Sequence, residues 1–386
     1  MSSILNDMQN KKLTPINKNN DAELARVAEL YYVENKHQDE IAKALKTTQA
    51  DVSKCLRLAK ERKIVEISVK SPRAEALDSR VKEAFPHLSD VRIVSLAGLD
   101  QRSPEMFASK LGLEGARFLS EKLRAGASLG VSCGQMTAAV IQGIRKLREE
   151  EGVRFPGNCS VYPLLTFMMP DIFPVSPIVT AINLLRWLPE SRGKGFHLPT
   201  PKQIESDGCT LKAYQRDAEV CQLLEEIKTL DWYLIGIGFL DYQGRMQSFP
   251  GSNTPPTHEF NSLCGRFHLQ DALRSDGAVG ESVYQPFDKD GNSLIDRKGY
   301  EPLKSIMFFL RLQELVQHVK NNTATVVAVT GGKEKYEAIL AALRGRLFNV
   351  LITDEGTAQF LLDSAEQSKK RPLTVRQHKK KSVRRV

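Results

Sequence analysis

The sequence predicts an α/β protein in two parts: an N-terminal helix-turn-helix domain of winged type, then a larger α/β domain with a mostly parallel sheet. Three observations predict it. Residues 26–69 read as helix, helix, sharp turn, helix and short strand. Downstream, apolar runs that read as buried strands alternate with helix-periodic segments, the pattern of a parallel sheet covered on both faces. The length, 386 residues with 41% hydrophobic and 26% charged, suffices for a small domain plus a substantial second one.

Residues 1–20 are polar and read as a disordered N-terminus, with no apolar run before a small-residue cleavage site and so no export signal. Asp21 is expected to cap a helix that carries Leu24, Val27, Ala28, Leu30 and Tyr31 on one face. From His37 the text is HQDEIAKALKTTQADVSKCL. Small Ala42 lies mid-helix, Leu45 precedes the turn, and Val52 and Cys55 fall on the buried side of the next helix. A small residue at the crossing and apolar residues on the facing sides let two short helices pack at a steep angle. The third helix, Gln49 to Arg62, would lie in a major groove with its early polar side chains at base edges. Its candidate DNA-contacting residues are Thr48, Gln49, Asp51, Ser53, Lys54 and Arg57. Gln pairs with adenine, and Arg or Lys with guanine or phosphate. Asp51 would repel phosphates, so it is expected to face a base or a neighbouring side chain. The competing reading is a solvated face on a helix packed against protein. Ile64 to Val69 alternates as a half-buried strand or wing should, and Ser71-Pro72 closes a domain spanning residues 21–72.

The second domain is placed at residues 73–367. VRIVSLA at 91–97 is a strand candidate, followed by a helix from Pro104 to Leu123. ASLGVSCGQMTAAVIQGIRKL at 127–147 is strand, small-residue loop and amphipathic helix in one line. WYLIGIGFL at 232–240 reads as one strand, ATVVAVTGGKEKYEAILAALRG at 324–345 as strand, Gly-Gly turn and helix, and NVLITDEGTAQFLLD at 349–363 as strand and capped helix. Residues 188–216 and 241–300 carry no pattern that assigns elements. In parallel sheets ligands bind beyond the carboxyl ends of the strands, where these loops lie.

Two loops carry the candidate binding chemistry. In the first, Gly130 and Gly134 would let a ligand approach the backbone, while Ser132, Gln135 and Thr137 donate hydrogen bonds beside a helix N-terminus. The same loop matches G-x-S-x-G, the nucleophile elbow of hydrolases. A hydrolase would need an acid and a His downstream; His258, His268 and His318 are available by number, but no HGGG-type segment precedes the Ser. A tight turn packed for its small residues is the third reading. In the second loop, Thr330-Gly331-Gly332-Lys333-Glu334-Lys335, free backbone N–H groups, a helix end and one or two ammonium groups would make an anion cradle. Asp288-Lys289-Asp290-Gly291-Asn292 lacks the Gly position and bidentate Glu of a calcium loop and reads as a hairpin turn. No His or Cys cluster has metal spacing, so neither metal nor cofactor is expected.

The formal net charge is +9, yet the last nineteen residues hold nine Lys or Arg and no acid, leaving 46 basic against 46 acidic residues elsewhere. This tail, residues 368–386, either adds salt-dependent phosphate contacts or is a solvated, disordered terminus. The six cysteines show no CxxC spacing and read as buried free thiols in a reducing compartment. The most apolar stretch, Tyr162 to Trp187, is interrupted by four prolines and Asp171, so no membrane span is expected.

The segments QDEIAKAL, VSK and AKERKIVEI resemble the SorC family of bacterial sugar-responsive transcriptional regulators, as do four stretches downstream. These are LGVSCG at 129–134, LIGIGFL at 234–240, GAVGESVYQPFDKDGN at 277–292 and the run from Ala328 to Leu362. The resemblance implies an effector domain related to the sugar-phosphate isomerase and deaminase fold, homotetramers, and DNA binding altered by a phosphorylated sugar. It also implies Lys335 as a ligand-binding Lys and Glu281 as an acceptor for sugar hydroxyls. This chain departs from the family in four places. Cys133 replaces a Trp, Gln135-Met136 replaces Arg-Thr, PLLTFMMP at 163–170 replaces a Gly-rich loop, and Lys46 stands where a turn Gly is usual. A neutral amide thus replaces a guanidinium able to hold phosphate through two hydrogen bonds.

The expectation is a cytoplasmic, non-enzymatic regulator that binds a double-stranded DNA operator and a small carbohydrate or sugar-phosphate effector. Two alternatives stand beside it. One is an isomerase, deaminase or serine hydrolase using Ser132, Glu281 or Lys335; the other is an architectural DNA-binding protein whose pocket has decayed.

Overall fold

A computed structural model describes residues 17–62, 64–65, 72–96, 104–164, 177–194, 216–240, 260, 264–265, 267–305 and 310–370. The chain divides into two compact units, Met1–Lys70 and Ser71–Val386.

The first unit holds α1 (Asp21–Tyr32), α2 (Gln38–Ala44) and α3 (Gln49–Glu61). Leu24, Val27 and Ala28 of α1, Ile41 and Ala42 of α2, Leu45, and Val52, Cys55, Leu56 and Ala59 of α3 form one core. Asn20, not Asp21, caps α1, its side chain accepting from Ala22 N at 3.0 Å. Lys18 pairs with Asp51 of α3. Residues 17–20 therefore belong to the folded unit, contrary to a disordered start running to residue 20. The α2–α3 turn closes with Thr47 N donating to Ala42 O (2.9 Å) and Lys46 N to Lys43 O (3.2 Å), which places Lys46 at φ 48. This left-handed helix end suits glycine; a lysine there costs ~1 kcal/mol. The expected wing falls mostly on residues 66–71, outside the described residues.

The second unit runs α4 (Pro72–Ala84), β1 (Asp90–Val94), α5 (Pro104–Lys122), β2 (Ser128–Val131), α6 (Gln135–Glu150), β3 (Ser160–Pro163), α7 (Pro177–Leu185), β4 (Arg192–Gly193) and α8 (Ala218–Ile227). There follow β5 (Trp232–Ile235), β6 (Gly238–Phe239), α9 (Gln270–Ser275), β7 (Ala278–Ser282), β8 (Gln285–Asp288), α10 (Glu301–Ser305) and α11 (Leu312–Asn321). The unit closes with β9 (Thr325–Val329), a 3-10 turn (Lys333–Lys335), α12 (Tyr336–Arg344), β10 (Val350–Asp354) and α13 (Glu355–Lys370). Helix α13 runs past the expected tail boundary at 368; residues 371–386 lie outside the described residues.

Seven strands form one sheet in the order β1-β10-β9-β5-β2-β3-β4, every pairing parallel. Successive residues of the central strands enter opposite cores, which is why those strands read as continuous apolar runs. Leu234, Val327 and Ile352 join Leu111, Phe118, Val140 and Ile144 of α5 and α6 on one face. Tyr233, Val326, Ala328 and Leu351 join Leu315 of α11, Ile339 of α12 and Leu361 of α13 on the other. Helices α5 and α6 approach so closely that a Cβ on Gly112 would lie 2.4 Å from the Ala139 carbonyl.

The apolar run at 232–240 is not one strand. It breaks at Gly236 and Ile237, so that β5 joins the parallel sheet while β6 enters a separate antiparallel sheet, β6-β7-β8. The break has a visible cause. Gly236 N donates to Ser132 Oγ (3.2 Å) and Gly236 O accepts from Ser282 Oγ (2.9 Å), which spends both backbone groups off the ladder. Asp288–Asn292 is a turn, as expected: Asp288 accepts from the N–H of Asp290 and of Asn292, with Gly291 at φ 78. Cys55, Cys159 and Cys264 are buried free thiols, whereas Cys133 is half-buried and Cys221 exposed. Among the described residues no helix is long and apolar enough to cross a membrane, and no His, Cys, Asp or Glu group could hold a metal.

Candidate functional site

Each unit carries one candidate site. In the first, α3 buries Val52, Cys55, Leu56 and Ala59 and leaves Gln49, Ser53, Lys54 and Arg57 exposed. Arg57 reaches Glu61 only at 3.8 Å, an exposed pair that contributes little and leaves the guanidinium available. Thr48 and Asp51 are occupied by the helix start. Thr48 Oγ1 accepts from Asp51 N (3.1 Å) and donates to Asp51 Oδ2 (2.7 Å), and Thr47 Oγ1 donates to the same oxygen at 3.2 Å. Hydrogen bonds from Lys18 and Thr48 hold the Asp51 carboxyl well below the usual carboxylate range. Asp51 therefore faces neighbouring side chains, the second of its two expected roles, and Thr48 is a helix cap.

In the second unit the loops after β2, β5 and β9, three neighbours in the sheet, converge with the β7–β8 hairpin and the start of α5 on one cleft. The cleft encloses about 850 Å³, its open mouth included. Six of the expected residues line it: Ser132, Gly134, Gln135, Glu281, Gly331 and Lys335. Gly130, Thr137 and Gly332 do not, and each has a different task. A Cβ on Gly130 would strike Leu164 at 2.5 Å, so this glycine serves packing beneath the loop. Thr137 is 1% exposed, with its hydroxyl 3.1 Å from Ser132 Oγ. Gly332, at φ 101, donates its N–H to Asp354 Oδ2 at 2.9 Å.

Ser132 lies at the cleft floor, only 2% exposed. Its Oγ sits within hydrogen-bond reach of Gly236 N, Thr137 Oγ1 and the Cys133 carbonyl, with no His among these partners. That hydroxyl ties the loop after β2 to the loop after β5 and is not presented as a nucleophile. Asp354 does the same for the second loop, accepting from Gly332 N and from both the N–H and the hydroxyl of Thr357.

Glu281 enters from β7. Its Oε2 accepts from Tyr284 N at 3.0 Å, and its register partner across the sheet is Gly238. A Cβ on Gly238 would come within 2.1 Å of Glu281 Oε1, so the carboxylate lies over bare backbone. Burial pushes the Glu281 carboxyl up to about 7, against the pull of Lys335. Burial likewise lowers the Lys335 ammonium from its ordinary value, opposed by Glu334 and Glu281. The hairpin turn beside Glu281 is Val283-Tyr284, at φ 50 and φ 57, between the paired Ser282 and Gln285. Such two-residue turns favour Asn-Gly, and a β-branched and an aromatic residue there store ~1–2 kcal/mol each. Packing holds the turn in place: both residues are 4% exposed, and the Tyr284 ring stacks on Phe260 at 6.3 Å.

Phe107, Met136, Ile237, Phe260, Val283 and Tyr284 give the cleft apolar walls that sequence reasoning missed. Isolated apolar residues carry no binding signature. Asp354 and Thr357 did carry a signal, as the cap of a helix, but nothing in the sequence joined that cap to the Gly-Gly loop.

A sugar-binding domain model (Sugar-bind) matches residues 191–363, a span that holds Glu281, the Gly-Gly loop and Lys335. The transcriptional regulator LsrR of Enterobacter sp. (strain 638) is 26% identical over 342 residues, covering 88% of this chain and 92% of that protein. The deoxyribonucleoside regulator of Bacillus subtilis is 24% identical, covering 87% and 96% respectively. The crystal structure of the full-length sorbitol operon regulator SorC from Klebsiella pneumoniae superposes with a TM-score of 0.62 at 19% identity, covering 88% of this chain and 97% of that one. The chain is thus similar along most of its length to transcriptional regulators, and it shares the fold of the SorC structure. The matched sugar-binding domain model and the names of the relatives both point to transcription regulation under the control of an effector. The two relatives and the solved structure named here are all regulators by name.

Proposed function

We propose that α3 reads operator DNA and that the strand-end cleft of the second unit binds the effector controlling it. The observation that carries this reading is their joint presence in one chain: a helix start with Gln49, Ser53, Lys54 and Arg57 exposed, and a cleft that brings Gln135, Glu281 and Lys335 together. Lys54 and Arg57 supply phosphate or guanine contacts and Gln49 an adenine contact, while Thr48 and Asp51 set the helix start. In the cleft, Glu281 accepts from ligand hydroxyls, Lys335 and Gln135 donate to ligand oxygens, and Gly134 and Gly331 keep the backbone close. The protein acts as a cytoplasmic homotetramer, and effector binding shifts the arrangement of its subunits and with it operator affinity.

Fluorescence anisotropy of the full chain on its own upstream DNA, with and without a panel of sugars and sugar phosphates, is the test. Lys54→Ala/Arg57→Ala is expected to abolish specific binding and to flatten the salt dependence by about two phosphate contacts. Unchanged affinity in that variant would exclude α3 as the reader. Light scattering on the same samples reads the oligomeric state.

A further inference from the structure

Resting on the reading of α3 as the operator reader, we propose that the basic segment Lys369 to Arg385 is a second DNA contact, which grips duplex phosphates irrespective of base sequence. The charge of the protein is concentrated there. Residues 369–386 hold nine Lys or Arg and no acid, which equals the whole formal net charge of +9. The unit that bears α3, Met1–Lys70, holds 13 Lys or Arg against 10 Asp or Glu, and residues 71–368 hold 33 against 36.

The folded N-terminal unit also spends cations on its own acids. Lys18 pairs with Asp51, Arg62 with Asp21 at 2.8 Å, and Lys36 with Glu34 at 2.6 Å. Lys60 lies over the Tyr32 ring, 5.8 Å from its centroid. Lys54 and Arg57 remain for the groove, with Glu61 at 3.8 Å from the second. A surface so nearly balanced exerts little of the positive field that draws in a duplex carrying one negative charge per ~1.7 Å of axis. Base contacts supply sequence preference, but affinity comes chiefly from phosphates, and the cations for that task are in the basic segment.

The segment is continuous with α13, whose Glu366, Gln367 and Ser368 are exposed, so the fold delivers it to the surface. Sixteen residues beyond Lys370 span at most ~55 Å when extended, enough to follow more than one turn of duplex. Its chemistry suits a duplex in particular. The run holds Lys379-Lys380-Lys381 and Arg384-Arg385 but no Phe, Tyr or Trp. Stacking on unpaired bases and anchoring in a membrane interface both draw on such rings, whereas phosphate contact needs charge alone.

The test compares the full chain with a deletion of residues 371–386, which removes seven of the nine cations. Fluorescence anisotropy is read on its own upstream DNA and on an unrelated duplex of equal length, across a series of salt concentrations. At about 0.9 per phosphate neutralised, the deletion is expected to flatten the log–log salt dependence by ~3–6 on both duplexes alike. Affinity at low salt should fall tenfold or more on both, with the preference for the upstream DNA kept within threefold and the melting temperature unchanged. Lys379→Gln/Lys380→Gln/Lys381→Gln should remove ~2–3 of that slope, while Lys in place of Arg371, Arg376, Arg384 and Arg385 should restore it in full.

An unaltered slope and affinity in the deletion, with upstream DNA still bound, overturns the proposal and leaves α3 as the reader. A loss confined to the upstream DNA makes the segment a base reader and likewise overturns it. Capture of the full chain but not the deletion by phosphatidylglycerol vesicles, at an unaltered DNA slope, gives the segment to a membrane surface instead. Failure of the full chain to bind either duplex overturns this proposal and the reading of α3 together.

Discussion

Glu281 gives the sharpest quantitative handle on the cleft. Its carboxyl ordinarily titrates at 4.5 and is pushed up to about 7 in the folded chain, because burial disfavours the charged form. A carboxyl with a raised pKa binds its proton more tightly in the native state than in the unfolded one. The stability linked to it is therefore fully present below about pH 4.5 and lost as pH climbs through about 7. At about 1.4 kcal/mol per tenfold, that span corresponds to a ceiling of ~3 kcal/mol. Glu281→Gln keeps the shape and an acceptor for Tyr284 N while removing the titration. Urea denaturation of the wild type and this variant from about pH 5 to about pH 8 is the assay. The wild type is expected to lose up to ~3 kcal/mol relative to the variant across that range. Lys335 and Glu334 are the charged groups that share the described lining with Glu281. Lys335→Met should steepen the wild-type loss, since the ammonium holds the Glu281 carboxyl down. Stability curves that run parallel within ~0.5 kcal/mol would refute the burial argument for this acid.

Two further substitutions test the supporting structure. Lys46→Gly should stabilise the first unit by ~1 kcal/mol in urea titration, because it relieves the left-handed backbone at φ 48; a loss of stability would show that the lysine side chain makes a compensating contact. Ser132→Ala should cost ~1–3 kcal/mol by leaving Gly236 N–H without its acceptor, yet preserve operator binding below the melting range; a regulatory defect at unchanged stability would move Ser132 from support to ligand contact.

What the sequence showed plainly was everything governed by local periodicity. The strand–loop–helix segments at 127–147 and 324–345 stand where the pattern put them, as do the three helices of the first unit. The failures came where long-range contacts override local preference. WYLIGIGFL is as apolar as any strand in the chain, but Ser132 and Ser282, about a hundred and about fifty residues away in sequence, take the Gly236 backbone out of the ladder. β7 and β8 lie in a stretch rich in Gly, Pro and Asn, and their turn uses Val283-Tyr284 where turn chemistry would have demanded Asn-Gly. In α3, residue type singled out Asp51, but the commitment of its carboxylate to Thr48 and Lys18 includes a contact across more than one element that sequence does not reveal. Gly130, Thr137 and Gly332 do not line the cleft for one common reason: sequence places them in the right loop, and packing decides which side of the loop faces the cleft.

The G-x-S-x-G match shows how the same letters acquire a different role. A nucleophile must offer its hydroxyl to the cleft and to a base; the Ser132 hydroxyl, 2% exposed, instead accepts from the Gly236 N–H and pairs with Thr137 Oγ1. Gly236 in turn accepts from Ser282, the neighbour of Glu281. This relay joins the loop after β2, the end of β5 and the hairpin that bears the acid, while Asp354 fixes the Gly-Gly loop independently. Cleft loops held in this way before a ligand arrives pay little ordering entropy on binding, so weak polar contacts suffice for recognition. Among the residues that line the cleft, left-handed backbone at non-glycine positions falls in the Val283-Tyr284 turn, which contributes both side chains to the lining. Glu281 is tied to that turn by the hydrogen bond from Tyr284 N, so a contact to its carboxylate reaches left-handed backbone directly. There a small difference in contact free energy can select between two arrangements of the loop.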